Sequence, residues 1–417
     1  MLGTHRKSTA AGLIAALDIG TAKIACLLAT VDAQGNAVLA GLGHQRSRGL
    51  KAGVVTDTDE AEGAVRAAIA QAERMAGLSI DRVVLSVGCG RIHASRFVAR
   101  SQLAGGIVRA EDVDRVLAGG EAYLQRDGRT LVHVDHSAWQ LDATSGVRNP
   151  VGMAARELAV EMGAVTADAG PLRNLAAIAE RCHVRVEALT AAPVASAWAV
   201  TSPEERLLGA LVIDIGAGLT SLARFSEGRL EQVEAVPLGG HYVTWDLAKG
   251  LAMSLPEAER IKTLYATLIR AGSDDRELIS YPTVGEDHEL ATSQTSRTRI
   301  RELIRPRIEQ LFDLVQERLQ AGSASAQTGA VVFTGGSSQL IGIDAAWTQR
   351  FGGLARIGRP RPIGRMPASM CNPALAAVIG LVLAPRVEAA AGYARQPARK
   401  DGSGRLGRVH RWLKESF

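Results

Sequence analysis

Hydrophobic positions along the chain fall into two kinds of run. Leu13 to Thr21 (LIAALDIGT) and Leu211 to Thr220 (LVIDIGAGLT) are strand-like apolar stretches ending in Asp-Ile-Gly, followed by small or hydroxylated residues. A second apolar run follows each, Ile24 to Leu28 and Ser221 to Phe225. The pattern predicts a β-hairpin with an Asp, Gly and Thr turn, repeated with 196 residues between Asp18 and Asp214. Ala330 to Thr334 (AVVFT) predicts a further buried strand, running into Gly335-Gly336-Ser337-Ser338. Helical spacing appears at Ile300, Ile304, Ile308, Leu311, Phe312, Val315 and Leu319, a long amphipathic helix despite Pro306. Ala191 to Val200 and Asn372 to Leu383 read as close-packed helices, each with a proline in the first turn where its missing N–H costs little. Val108 to Val116 (VRAEDVDRV) reads as a capped helix start, and Val132 to Met153 alternates strand and turn, with His133 and His136 as structural residues.

At 417 residues, with 47% hydrophobic and 22% charged positions, the chain is too long for one core and implies two or three domains. Ala374 to Ala384 is apolar for only 11 residues, about half of the ~20 a bilayer span needs, so it is expected to be a buried element. His5-Arg6-Lys7 ahead of Ala10 to Leu17 imitates a weak secretory signal, but Asp18 ends the run without a cleavage site, so a first core strand is expected. Cys26, Cys89, Cys182 and Cys371 are scattered, which indicates neither a zinc site nor a disulfide framework and fits a reducing cytosol. The net charge of +5 is concentrated at one end. Residues 386 to 417 hold eight Lys or Arg against three acids, leaving 40 of each elsewhere. Such a tail suggests an anionic partner.

The repeated turn suits a polyphosphate, because glycines let backbone N–H groups approach oxygens and a carboxylate at a strand end can hold Mg²⁺ through water. Asp18, Gly20, Thr21 and Lys23 are the candidates from one hairpin, and Asp214, Gly216, Gly218 and Thr220 from the other, with Asp18 and Asp214 facing the metal. Gly335, Gly336 and Ser337 supply a third close-approach turn.

Together these elements resemble the actin, Hsp70 and sugar kinase superfamily, and within it the FtsA family of division proteins. The likeness runs from about Leu13 to Leu383. It is most specific in Val87 to Gly106, Val108 to Val116 and Val132 to Met153, where GVRNPVGM stands out. The resemblance implies an α/β fold of two RNase H-like halves around an ATP cleft, with a 1C-type and a small 2B subdomain. It divides the chain into a flexible N-terminus (1–12), subdomain 1A (13–86 and 166–207) and 1C (87–165). Subdomain 2A follows (208–240 and 311–385, with the return helix), enclosing 2B (241–310). The segment Pro237 to Lys262 carries the family pattern of Gly239-Gly240 followed by Glu259 near the ribose and Lys262 near the adenine. The family further implies the FtsZ C-terminal peptide as partner at 2B, later division proteins at 1C, and filaments. Ala191-Ala192-Pro193 stands where several relatives carry a water-positioning acid, so hydrolysis is expected to be slow or absent. A small-molecule kinase and a PilM-like pilus scaffold are the rival readings on the same fold.

After Pro385, Ala, Gly, Arg and Pro dominate through Gly404, so residues 386–404 are expected to form a disordered linker. On a helix, residues 405–417 group Leu406, Val409, Trp412, Leu413 and Phe417 on one face, with Arg408, Arg411 and Lys414 opposite. This is the pattern of a basic helix lying in a headgroup layer of anionic lipid, and the family resemblance implies that the layer is the cytoplasmic side of the inner membrane at the septum, with the protein peripheral to it. Burial of the five apolar side chains is worth roughly 5–8 kcal/mol after partial insertion, and helix ordering removes several of these. Attachment by one tail is therefore marginal. Nucleic acid is disfavoured because the bases alternate with a full apolar face.

Overall fold

The computed structural model describes residues 12–390, without 125–127, 273, 275, 285–289 and 323–328. The expected linker beyond residue 390 and the tail residues Leu406, Arg408, Val409, Arg411, Trp412, Leu413, Lys414 and Phe417 lie outside the described residues.

Two five-stranded sheets share one topology. In the first, Arg185–Ala191, Arg82–Val87 and Leu13–Ile19 run parallel, followed by antiparallel Lys23–Val31 and Ala37–Arg46. In the second, Leu354–Ile357, Ala330–Thr334 and Ala210–Ile215 run parallel, followed by antiparallel Thr220–Ser226 and Arg229–Val236. The order and direction of all five strands are the same. The repeat seen in two short motifs is therefore a repeat of whole half-molecules.

Between the halves lie the two alanine-rich helices, Ala192–Val200 and the helix Ala376–Ala390. Small residues permit a very close crossing: a Cβ on Gly380 would stand 1.8 Å from the Ala195 carbonyl oxygen. These helices share a core with the first sheet and with Val212, Ala223 and Val332 of the second. A separate core forms where the long helix Arg297–Ala321 packs on the second sheet's other face. All seven of its predicted apolar positions are buried, and Pro306 sits inside it. A small pair, Leu278–Val284 with Leu290–Ser296, precedes that helix. The division expected at residue 310 falls within the helix. Likewise the return helix passes through Pro385 to Ala390, so residues 386–390 are helical where linker was expected. The packed segment ahead of Pro385 holds the helix, and one lost N–H bond does not end it.

A four-stranded antiparallel sheet, in the order His93–Gln102, Glu157–Asp168, Arg129–Leu141 and Thr144–Val147, is inserted into the first half, with the helix Ala110–Leu124 against it. The Arg109 N–H donates to Asp112 Oδ2, fastening the start of this helix. His133 is buried edge-on to Trp198, a packing role as expected. All four cysteines are free and buried. Among the described residues, no helix is long and apolar enough to cross a membrane, and Ala374 to Ala384 is a largely buried element.

Candidate functional site: the cleft between the hairpins

The two hairpin turns are built alike. The Gly20 N–H donates to the Lys23 carbonyl at 3.0 Å, and the Gly216 N–H donates to the Leu219 carbonyl at 2.9 Å. They touch across the boundary of the halves: a Cβ on Gly218 would stand 2.8 Å from Thr21 Oγ1, which itself accepts the Gly53 N–H at 2.9 Å. Behind this contact opens a cavity of about 580 Å³, within the range of nucleotide-sized pockets.

The structure brings every residue of the expected set to the wall except one. Asp18, Gly20, Thr21 and Lys23 line it from the first half; Asp214, Gly216, Gly218, Gly239, Gly240, Glu259, Lys262, Gly335, Gly336 and Ser337 line it from the second. Thr220 is the exception. It is fully buried, and its hydroxyl donates to the Leu238 carbonyl at 2.7 Å. Strand parity explains this: Thr220 pairs with Ile215 on the core face, whereas Ser221 pairs with Asp214 and reaches the wall.

Each carboxylate has a serine donor. Ser86 Oγ donates to Asp18 Oδ1 and Ser196 Oγ to Asp214 Oδ2, both at 2.5 Å. Lys23 Nζ also stands 3.3 Å from Asp18 Oδ2. Burial pushes the Asp214 carboxyl up to about 6; Asp18 nearby adds to the rise, while the Ser196 hydrogen bond and Lys23 oppose it. The acid of the second turn therefore feels the charge of the first.

Across the cavity, Lys262 Nζ lies 2.6 Å from Glu259 Oε2 and donates to Thr244 Oγ1 at 2.9 Å, while the Thr244 hydroxyl donates to the same Glu259 oxygen. Burial disfavours the Glu259 charge, but Lys262 and these hydrogen bonds hold its pKa below the usual range. Both side chains rise from one face of the helix Leu255–Tyr265. Glycines let the remaining wall come close. A Cβ on Gly335, whose φ is 85°, would stand 2.2 Å from Asp214 Oδ1, and one on Gly240 would stand 2.0 Å from Ser337 Oγ.

Sequence reasoning missed Ser86, Ser196, His241 and Arg307. The last two line the cavity, His241 with its pKa lowered by burial and by Lys262, and Arg307 held by both Asp246 oxygens at 2.7 and 2.8 Å. His241 directly follows the Gly239-Gly240 pair, and the other three stand in no motif. A hydroxyl in the first connecting helix, Ser196, was the most accessible signal. Among the described residues no group of three or more His, Cys, Asp or Glu is arranged to hold a metal by direct ligation.

Comparison with known proteins matches this architecture. Residues 211–380 match the family model of cell division protein FtsA, and residues 89–166 match that of the SHS2 domain inserted in FtsA. The cell division protein FtsA of Agrobacterium fabrum is 37% identical over 97% of this chain and 95% of its own length. That of Neisseria meningitidis is 30% identical over 97% and 98%, and that of Escherichia coli 28% identical over 99% and 100%. Among solved structures, the PilM-PilN type IV pilus biogenesis complex aligns with a TM-score of 0.62 at 16% identity, over 89% of this chain and 98% of the other. MreB5 of Spiroplasma citri bound to ADP aligns with 0.56 at 14%, over 91% and 98%. These two likenesses establish the actin-like fold, and on the extent of the sequence identity the chain belongs to the FtsA family of cell division proteins.

Proposed function

We propose that this protein binds ATP with Mg²⁺ between its two hairpins, polymerises on the inner face of the cytoplasmic membrane, and anchors the FtsZ ring there through its C-terminal amphipathic helix. The observation that carries the nucleotide reading is the pair of matching turns, each with an acid, meeting at one cavity. Asp18, Gly20, Thr21 and Lys23 would hold the phosphates from one side, and Asp214, Gly216 and Gly218 from the other. Thr220 would serve by its place in the turn, not by its hydroxyl. Glu259, Lys262, Gly239, Gly240, Gly335, Gly336 and Ser337 would enclose the nucleoside.

The carboxylates fit a hydrated Mg²⁺. Burial and the nearby Asp18 charge make an ionised Asp214 costly without a further cation, and the serine donors fix one oxygen of each carboxylate. The ion would neutralise phosphate charge when bound. Turnover should be slow: Ala192 lines the cavity at the start of the connecting helix, and Asp18, Asp214 and Glu259 are the carboxylates among the described wall residues. Joining the halves would favour the polymerising, FtsZ-binding state, limited by the difference in ATP affinity between open and closed forms. The small sheet region would receive the FtsZ peptide, and the inserted sheet later division proteins.

Many marginal tails acting together on a filament would give firm attachment. Sedimentation with anionic liposomes tests this on the intact chain and on a version ending at Gly404, with and without ATP. The intact chain should sediment, more so with ATP, and the shortened one should stay in solution. Equal sedimentation would overturn the tail assignment.

A further inference from the structure

The inserted sheet belongs by connectivity to the first half, yet its outer strand lies against the second. His93–Gln102 is the edge of its sheet, and Arg229–Val236 is the edge of the second five-stranded sheet. His93 Nδ1 meets Glu234 Oε1 at 2.6 Å, and Arg96 Nη1 meets Glu231 Oε1 at 2.6 Å. Arg96 also forks onto Glu161, the cross-strand neighbour of Val98, and Glu161 lies 3.7 Å from Arg229. Three residues forward on one edge correspond to three residues back on the other, so the edges run antiparallel in constant register. Side chains close the seam, in an alternating ionic chain that runs Glu231, Arg96, Glu161, Arg229.

Both edges lead directly to the cleft. Gly88 and Cys89, four to five residues before His93, line the cavity, and so do Leu238 and Gly239, which follow the strand that carries Glu234. The neck between is fastened at the base of the inserted sheet, where its two connections to the first half meet: Arg91 and Arg129 both pair with Asp168, and the Asp168 N–H donates to the Gly90 carbonyl at 2.7 Å. The module therefore has one covalent anchor on one half and one ionic anchor on the other. A relative movement of the halves must strain the seam or turn the module about its neck.

We propose that this edge-to-edge ionic seam couples the state of the cleft to the orientation of the inserted module. The nucleotide half of this inference rests on the proposed function; the seam itself rests on the contacts above. Coupling is reciprocal, so weakening the seam must change affinity in the cleft.

The test uses the full chain with spin labels at Gln34→Cys in the first half and Glu111→Cys in the module, both exposed, while the native cysteines are buried. Distance distributions are compared for the parent, Arg96→Glu, Glu231→Arg and the double swap. Without nucleotide, each single variant should broaden the distribution, and the swap should be narrower than Arg96→Glu alone, short of the parent because the acid at position 96 then faces Glu161; unchanged single variants, or a swap as broad as Arg96→Glu, would overturn the seam. Binding of a fluorescent ATP analogue is then measured on the same proteins. Arg96→Glu should shift affinity by roughly fivefold and the swap should return it part of the way to the parent value. Unchanged affinity with an altered distribution would overturn the coupling. No binding by the parent would refute the nucleotide reading, and with it the coupling to nucleotide, while the swap without nucleotide still decides the seam.

Discussion

The two halves hold the same turn in different surroundings. Asp18 takes its hydroxyl donor from Ser86 on the neighbouring parallel strand, and a cation, Lys23, from its own turn. Asp214 takes its donor from Ser196 on the connecting helix, because Thr334 on the neighbouring strand donates instead to the Gly358 carbonyl. The position matching Lys23 in the second turn is Leu219, so Asp214 has no cation of its own there. Duplication has kept the backbone and let the electrostatics diverge. One carboxylate is paired; the other is buried and pushed up to about 6.

The comparison breaks most readily at Gly335. Alanine there would place a Cβ within 2.6 Å of the Ile215 carbonyl as well as against Asp214, in a left-handed backbone. Gly335→Ala should cost about 3 kcal/mol or more in urea unfolding. Next in size is the pH response of the protein without nucleotide. An ordinary carboxyl at 3.8 rises to about 6 on folding, so between these values the native state binds the extra proton. Stability from this group is therefore highest below about pH 4 and is lost as pH rises to 6, by on the order of 2–3 kcal/mol. Unfolding of Asp214→Asn at pH 4 and pH 7 should lack that loss; an identical loss in the variant would place its source elsewhere.

Lys23→Ala should weaken ATP binding about tenfold by removing a charged donor from one half alone. Leu219→Ala, its counterpart, should leave affinity within about twofold, and equal effects would refute the asymmetry. Smallest is Ser196→Ala, expected to cost roughly 1 kcal/mol of Mg²⁺-dependent affinity while sparing Mg²⁺-independent binding. Restoration by Ser196→Thr would separate positioning of Asp214 from simple packing.

Local patterns made much of this legible. Both hairpins, the strand ahead of Gly335 and the seven buried positions of the helix Arg297–Ala321 follow from periodicity, which neighbouring residues alone determine. The face of Thr220 depends on turn length, which decides whether Thr220 or Ser221 opposes Asp214, and the residue types of the turn do not announce it. The composition of residues 386–404 reads as linker from its first residue, but the packed helix ahead of Pro385 carries five residues of it in helical form despite one absent bond. Ser86 and Ser196 lie 68 and 18 residues from the acids they serve, and the ionic seam joins edges of separate sheets. Such contacts exist only after the halves have met, so no local pattern announces them.

The central claim is that both turns hold one nucleotide, and a double-mutant cycle on Asp18→Ala and Asp214→Ala tests it most directly, with ATP affinity and stoichiometry read by calorimetry at several Mg²⁺ concentrations. One ATP should bind per chain, each single change should remove the Mg²⁺ dependence, and the double variant should be little worse than either. Fully additive losses, two ATP per chain, or metal dependence surviving either change would contradict it.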